Sequence, residues 1–229
     1  MSRPKEASEN RGPATTHTGG RFAAGEDPAK REQIIDGAKR VFMTVGFDAA
    51  SMNDITREAG VSKGTIYVYF QNKEDLFVAM VDQERDRIAN DMRDILAGSE
   101  AVEEGLYAFG TSFARHITCP HVIGAMRTVI GVVARMPTVS RRFFHAAPGN
   151  VRHVLEEFIR RHTALGNLVV EDTDLAARQF IEMSTGGFFK FRLFGDLEDV
   201  PSDAELDRVI RGAIRVFMAA YGANAGSQA

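Results

Sequence analysis

The chain has 229 residues, of which 44% are hydrophobic, so it is long and apolar enough to bury the core of one large helical domain or two smaller ones. The formal net charge is only −3, which excludes a polycation and requires any contact with nucleic acid to come from a local arrangement of charges. The single cysteine, Cys119, excludes an internal disulfide, and no apolar signal segment or membrane-length run is seen, so we expect a cytoplasmic protein with no membrane partner.

Residues 1–28 are rich in Ser, Thr, Gly, Pro and Glu and nearly lack large apolar side chains. Such a segment buries too little apolar surface to offset its ordering entropy, so we predict a disordered arm. Whether the arm contacts DNA is left open, because its four cations are matched by four carboxylates: Arg3, Lys5, Arg11 and Arg21 against Glu6, Glu9, Glu26 and Asp27.

Helical periodicity begins after Pro28, and Gly46 is expected to end the first helix. The apolar side chains in this stretch recur at the spacing of one buried helix face: Ile34, Ile35, Ala38, Val41, Phe42 and Val45.

Two short helices are predicted next, each preceded by a serine that can cap it, Ser51 and Ser62. The first spans about 52–58 and the second about 63–70, and Gly60 between them can take the backbone conformation of a tight turn. A helix, a glycine-containing turn and a second short helix form a helix-turn-helix motif. A long fourth helix follows and ends near Gly98.

The second helix of this motif carries side chains suited to DNA. In such motifs its first residues meet base edges in the major groove, where a lysine can donate to guanine and a threonine offers a hydroxyl and a methyl group. Tyrosine hydroxyls can reach phosphates beside the groove, and a lysine at the start of the next helix lies near free N–H groups. The alternatives are half-buried aromatic rings and solvated lysines. The candidate DNA-binding residues are Ser51, Ser62, Lys63, Gly64, Thr65, Tyr67, Tyr69 and Lys73.

The stretch IIDGAKRVFMTVGFDAASMNDITREAGVSKGTIYVYFQNKEDLF resembles the DNA-binding domain of the TetR/AcrR family of bacterial regulators. The resemblance covers roughly residues 31–77. It implies an all-helical homodimer that binds a double-stranded DNA operator and represses transcription until a small-molecule effector binds its core. It rests on Ala38, Phe42, Gly46, Phe47, Ile55, Ala59, Gly60, Val61, Lys63, Gly64, Tyr67, Phe70, Lys73 and Leu76.

The rest of the chain also has helical patterns, with segments expected at about 100–118, 120–135, 138–146, 149–165, 172–195 and 203–221. The predicted fold class is therefore all-α. It has an N-terminal three-helix DNA-binding domain at 29–75 and a larger helical ligand-binding and dimerisation domain at 76–222, and a flexible tail is predicted at 223–229.

The last two predicted helices carry the strongest apolar stripes. Two such helices can pair with their symmetry mates in a four-helix interface, and the family resemblance favours this over a purely intramolecular core. The candidate interface residues are Phe188, Phe191, Ile210 and Phe217.

A ligand site is expected among the middle helices, where large apolar side chains alternate with glycines. Glycines inside helices either leave a cavity or allow close helix packing, and the sequence leaves both open. We expect a medium-sized, largely apolar effector. An arginine within this apolar run can pair with an anionic ligand or with Glu157 or Glu182. The candidate ligand-binding residues are Phe109, Phe113, Met126, Arg127, Ile130 and Phe144.

Nothing in the sequence points to catalysis, because no glycine-rich phosphate loop, serine nucleophile elbow or HExxH motif is found. His116, Cys119 and His121 resemble metal ligands in type, but Pro120 between them indicates a helix junction. We therefore predict no enzyme activity, no cofactor and no metal. The alternative to a ligand-responsive regulator is a DNA-architectural protein that binds without an effector.

Overall fold

The computed structural model describes residues 23, 25–136 and 150–223. Ten helices account for the regular structure of this part, together with one antiparallel bridge between Leu168 and Gly222, and the all-α prediction is confirmed. The helices are α1 Pro28–Ala49, α2 Met52–Ala59, α3 Lys63–Tyr69, α4 Lys73–Ala97, α5 Val102–Thr118, α6 Pro120–Val133, α7 Val151–Ala164, α8 Thr173–Thr185, α9 Phe188–Phe194 and α10 Asp203–Tyr221.

Several predictions fall outside the described residues. They are most of the N-terminal arm, the helix expected at 138–146 with the candidate ligand residue Phe144, and the tail beyond residue 223.

Two helix boundaries differ from the sequence prediction. Gly46 interrupts α1 with φ 80° and ψ 166° instead of ending it, and helical structure resumes up to Ala49. The single helix expected at 172–195 is two helices, α8 and α9, because Gly186 adopts φ 55° and ψ −124° between them. That backbone conformation is accessible to glycine but costly for other residues, so the chain turns there.

The described residues form two apolar cores. One lies in the N-terminal head and combines α1, α2 and α3 with the first turns of α4, so it extends past the predicted domain boundary at residue 75. Within it the rings of Phe42, Phe47 and Phe77 lie with centroids 5.0–5.5 Å apart. Val129 and Val132 from α6 also belong to this core, which joins the head to the second domain by apolar packing.

The second core lies among α4, α5, α7, α8 and α10. Phe180 of α8 contacts Phe217 of α10 edge to face, with ring centroids 5.6 Å apart. Among the described helices none is by itself long and apolar enough to cross a membrane. The pair α5 and α6 passes that test of length and composition only when taken together, and it is bent by 64°.

Helices α1 and α2 lie close together at Gly37. A Cβ atom there would lie 2.7 Å from Ala59 Cβ and 2.8 Å from Ala59 Cα, closer than real side chains come. The glycine is therefore required by the spacing of the two helices and not by its backbone conformation.

We expect Gly37→Ala to lower the free energy of unfolding by about 1–3 kcal/mol, because α2 must move away from α1 to admit the methyl group. Denaturant unfolding of the purified protein measures the change. Gly131→Ala is the matched control: nothing described lies within 4 Å of a Cβ at this helical glycine. Gly131→Ala is expected to raise the free energy of unfolding by about 0.5–1 kcal/mol. Equal effects of the two substitutions would contradict the steric argument.

Candidate nucleic-acid interface

The helix-turn-helix is held in place by side chains of α1. Gln33 donates from Nε2 to the carbonyl oxygen of Ala59 at 2.6 Å, and Arg40 donates to the Glu58 carboxylate at 2.5 Å. These bonds satisfy carbonyl and carboxylate groups at the C-terminal end of α2. The chain then turns at Gly60, which has φ 63° and ψ 36°, and the Val61 N–H donates to the Thr56 carbonyl at 3.2 Å. The predicted motif is confirmed.

Helix α3 presents one face to solvent and one to the head core. Ile66 is fully buried, whereas Lys63 and Gly64 are exposed, Tyr67 is 46% exposed and Val68 is 52% exposed. Positions 63 and 67, and positions 64 and 68, are one helical turn apart and so share a face. We define these four residues as the recognition face. A DNA major groove, about 12 Å wide, admits a helix presented in this way.

Two of the predicted serines are helix caps. Ser51 Oγ accepts from the Asp54 N–H at 3.2 Å and donates to the Asp54 carboxylate, which lowers the pKa of Asp54. Ser62 Oγ accepts from the Thr65 N–H at 3.0 Å and lies 2.7 Å from the Thr65 hydroxyl. These hydroxyl groups define where α2 and α3 begin, and contact of Ser51, Ser62 or Thr65 with DNA stays a prediction.

The two tyrosines of α3 have different surroundings. Tyr67 lies on the recognition face, but Tyr69 is partly buried and packs against the head core. Residues two apart on a helix point in nearly opposite directions, which explains the difference. The half-buried alternative therefore describes the ring of Tyr69, and a phosphate contact by its hydroxyl stays a prediction.

Lys73 does not have the role that we predicted. Its ammonium donates to three backbone carbonyls at the end of α1, those of Phe47 at 3.0 Å, Asp48 at 3.1 Å and Ala50 at 3.2 Å. It also lies 4.7 Å from the ring centroid of Phe47. Because an ammonium has three protons, all of them are used, and the predicted phosphate contact is corrected to a structural clamp between α4 and α1.

Helix α1 also contacts the second domain. Met43 Cε lies 2.7 Å from the position of a Cβ on Gly124 of α6, and Arg135, just beyond α6, forms an ion pair with Asp48 at 2.8 Å. On another side of α1, Lys39 forms an ion pair with Glu84 of α4 at 3.1 Å. Burial opposes ionisation of Glu84, but hydrogen bonds from Arg87 and Lys39 outweigh it and bring its pKa to about 2.

The predicted ligand residues differ in how far they are buried. Phe109 is fully buried and its ring stacks on Phe113 with centroids 5.8 Å apart, Met126 is partly buried, and Ile130 is exposed. Arg127 donates to the carbonyls of Leu193 and Arg192 at the end of α9, at 3.0 and 2.9 Å, so the predicted ion pair with Glu157 or Glu182 is wrong.

Gly105 and Gly110 support close helix packing rather than a cavity, whereas nothing described lies within 4 Å of a Cβ on Gly131. A Cβ on Gly105 would lie 2.4 Å from Phe158, and one on Gly110 would lie 3.2 Å from Ile210. Two grooves are found elsewhere, beside the start of α5. One of about 360 Å³ is lined by Glu103, Glu104, Tyr107, Arg211, Ile214 and Arg215. One of about 1010 Å³ is lined by Glu100, Ala101, Val102, Glu103, Glu104, Gly166, Asn167, Met218, Ala219, Gly222 and Ala223.

The predicted dimer interface is wrong for two of its residues. Ile210 and Phe217 are fully buried within their own chain, on the inner side of α10, so the intramolecular alternative holds for them. Phe188 is partly buried against the same core, and Phe191 is exposed. An apolar stripe in sequence marks a buried face, but it does not distinguish a face buried in one chain from a face buried between two.

His116, Cys119 and His121 lie at the junction where α5 ends and α6 begins. Cys119 Sγ lies 2.8 Å from the His116 carbonyl oxygen and 3.3 Å from His121 Nδ1, and burial lowers the pKa of His116. Across residues 25–136 and 150–223 no three His, Cys, Asp or Glu side chains are grouped so that they can hold a metal ion.

Comparison with known proteins finds two family models in the chain. The model for "Bacterial regulatory proteins, tetR family" matches residues 34–80, and that for "AefR-like transcriptional repressor, C-terminal domain" matches residues 104–223. The HTH-type transcriptional repressor Rv1474c of Mycobacterium tuberculosis is 35% identical over 81 residues, which is 31% of this chain and 43% of that protein. The Fatty acid metabolism regulator protein of Bacillus subtilis is 32% identical over 77 residues, which is 34% of this chain and 40% of that protein. The chain thus aligns with less than half the length of these two relatives.

Solved structures show the same fold over most of the chain. A putative TetR-family transcriptional regulator from Mesorhizobium loti matches with a TM-score of 0.77 and 24% identity, and covers 85% of this chain and 97% of that one. The Flavonoid-responsive Regulator FrrA matches with a TM-score of 0.70 and 24% identity, and covers 86% of this chain and 98% of that one.

The clamp formed by Lys73 predicts a loss of stability when the ammonium is removed. We expect Lys73→Met to lower the free energy of unfolding by about 1–3 kcal/mol, because three carbonyls lose a charged donor. It should leave the salt dependence of DNA affinity unchanged. Lys63→Met, an exposed lysine in the same head, is the matched control, and we expect it to weaken DNA binding with unchanged stability. Normal stability with a lower salt slope in Lys73→Met would restore the phosphate contact.

Proposed function

The chain belongs to the TetR family of bacterial transcriptional regulators, which are not enzymes, and we propose that it is a homodimeric repressor released from a palindromic operator by a small, largely apolar effector. The observation that carries the proposal is the recognition face of α3, where exposed side chains stand on a helix anchored by the fully buried Ile66. The alternative without an effector is tested by the same experiment.

DNA recognition is assigned to two kinds of contact. Lys63 donates to a guanine edge in the major groove and supplies sequence preference, since a lysine can donate to guanine O6 or N7. Tyr67 donates its hydroxyl to a phosphate and fixes the register of the helix on the groove. The bonds from Gln33 and Arg40 to the end of α2 support this assignment, because they hold the motif on α1 before DNA binds.

Dimerisation is assigned to the outer sides of α8 and α10. This surface takes the place of Ile210 and Phe217, which are buried within the chain. Leu175 and Val216 are exposed apolar residues there. A Cβ on Gly186 would lie 3.4 Å from Val209, so the two helices are adjacent, and Gly212 adds a position without a side chain. A symmetric pair of such surfaces gives an isologous four-helix interface and places two recognition faces for a palindromic site.

The effector is assigned to the space between α5 and α6, around Phe113 and Met126. Phe113 and Met126 are both partly buried, so we expect an effector bound between them to displace α6. Displacement of α6 moves α1 through the contacts of Met43, Val129 and Val132, and thereby changes the position of α3. Two of the similar proteins have names that refer to fatty acid metabolism and to flavonoid response, which supports a largely apolar effector.

Selection of bound DNA from a random pool tests the proposal. We expect a palindrome whose half-sites are about one helical turn apart, or a multiple of it, and whose binding is lost on adding one member of an apolar compound library. A palindrome unaffected by every compound would contradict the effector. Failure to enrich any sequence at moderate salt would contradict specific recognition and favour the architectural alternative.

Lys63→Ala is expected to cost about 1–3 kcal/mol of binding to the selected site and to relax the base preference at one position. Competition binding against random DNA of equal length gives both numbers. Equal losses on the selected and the random DNA would contradict base reading by Lys63.

Val216→Glu is expected to shift the protein from dimer to monomer in sedimentation equilibrium, because a carboxylate would be buried in an apolar interface. Val216 is 58% exposed in the single chain, so the fold should be unaffected. Val169→Glu is the matched control, since Val169 is 69% exposed and lies outside the proposed interface. A dimer that survives Val216→Glu would remove this surface from the interface.

A further inference from the structure

We propose that Val68, together with the open backbone at Gly64, recognises the C5 methyl group of a thymine in each operator half-site. The inference rests on the proposed function and deepens it, because it names a specificity determinant and the base that this determinant reads. The sequence prediction selected Gly64 together with polar and aromatic residues, and it did not include Val68.

Val68 lies on the exposed side of α3. Gly64 and Val68 are one helical turn apart and lie beside Lys63 and Tyr67 on the recognition face. Val68 is 52% exposed, so an apolar side chain stands in water where a DNA groove is expected. Binding of the groove would remove that surface from water, which is favourable only if an apolar group of the DNA meets it.

The surface of α3 beside Val68 is open at Gly64. A Cβ atom on Gly64 would have Ser62 Oγ, at 3.8 Å, as its nearest described neighbour. The surface next to Val68 therefore has free space where a side chain at position 64 would stand. A base edge can approach the helix backbone there and bring its substituents against the valine.

The backbone before α1 passes close to Val68. A Cβ on Gly25 would lie 3.2 Å from Val68 Cγ1 and 3.4 Å from the Val68 carbonyl oxygen. The chain at Gly25 thus passes beside the valine, and half of the Val68 side chain still faces solvent.

The chemistry of the major groove identifies the base. Each base presents hydrogen-bonding groups there, but only thymine presents a methyl group. A valine side chain has no donor or acceptor, so opposite any other base edge it would leave a polar group without a partner. Thymine is the base whose edge matches an apolar side chain beside an open backbone.

The experiment uses the full chain and its selected DNA. Each thymine of a half-site is replaced in turn by deoxyuridine, which removes the methyl group and keeps base pairing. We expect affinity to fall about fourfold per half-site at one thymine position, the value of one buried methyl group. In Val68→Ala the same replacement should have no effect. Val45→Ala is the matched control, because Val45 is 50% exposed and lies in the same head outside the recognition face.

The outcomes separate this inference from the proposed function. A selected sequence in which every thymine tolerates deoxyuridine would overturn the inference and leave the proposed function intact. A loss on demethylation that persists in Val68→Ala would assign the methyl contact to another residue and would also overturn it. Absence of any selected sequence would overturn the proposed function, and the inference with it. The deoxyuridine series on the unaltered protein needs no variant to fold.

Discussion

The close approach of α1 and α2 at Gly37 is the constraint on which the rest of the molecule depends. A side chain at Gly37 would overlap the backbone of Ala59, so only glycine permits this spacing. Helix α3 follows α2 after a short turn at Gly60, so the α1–α2 contact fixes where the recognition face points. Met43 of α1 also lies against α6 at Gly124. Helix α1 therefore contacts both the DNA-binding motif and the second domain.

Cations in this chain satisfy the ends of helices, and for Lys73 and Arg127 the sequence had suggested contacts with phosphate or a ligand instead. Lys73 donates to three carbonyls at the end of α1, and Arg127 donates to two at the end of α9. The buried Arg192 donates to the carbonyl of Thr118, the last residue of α5. The last carbonyls of a helix have no partner within it, so a long cationic side chain from a neighbouring element stabilises both the helix end and the contact between elements.

Apolar packing, more than surface charge, couples the head to the second domain. The ion pair between Arg135 and Asp48 joins these parts, but both side chains are more than half exposed, and such pairs contribute at most about 1 kcal/mol. Val129 and Val132, in contrast, are part of the head core, so any shift of α6 changes the packing of α1. The proposed release from DNA therefore depends on a repacking of α6 against α1.

The sequence by itself determined the elements. Apolar periodicity, serine caps and glycines are local signals, and they gave the all-α class, most helix ends to within two residues, and the helix-turn-helix with Lys63, Gly64 and Tyr67 on its exposed side. They did not reveal the break at Gly186, because the apolar pattern runs through it. Only the tertiary structure decided the partners of side chains. Lys73 and Arg127 reach carbonyls that are distant in sequence, Ile210 and Phe217 are buried within one chain, and Val68 is exposed. An apolar stripe or a lone cation looks the same in sequence whatever part of the protein it packs against. Its packing partner is decided only when the helices come together in the folded chain.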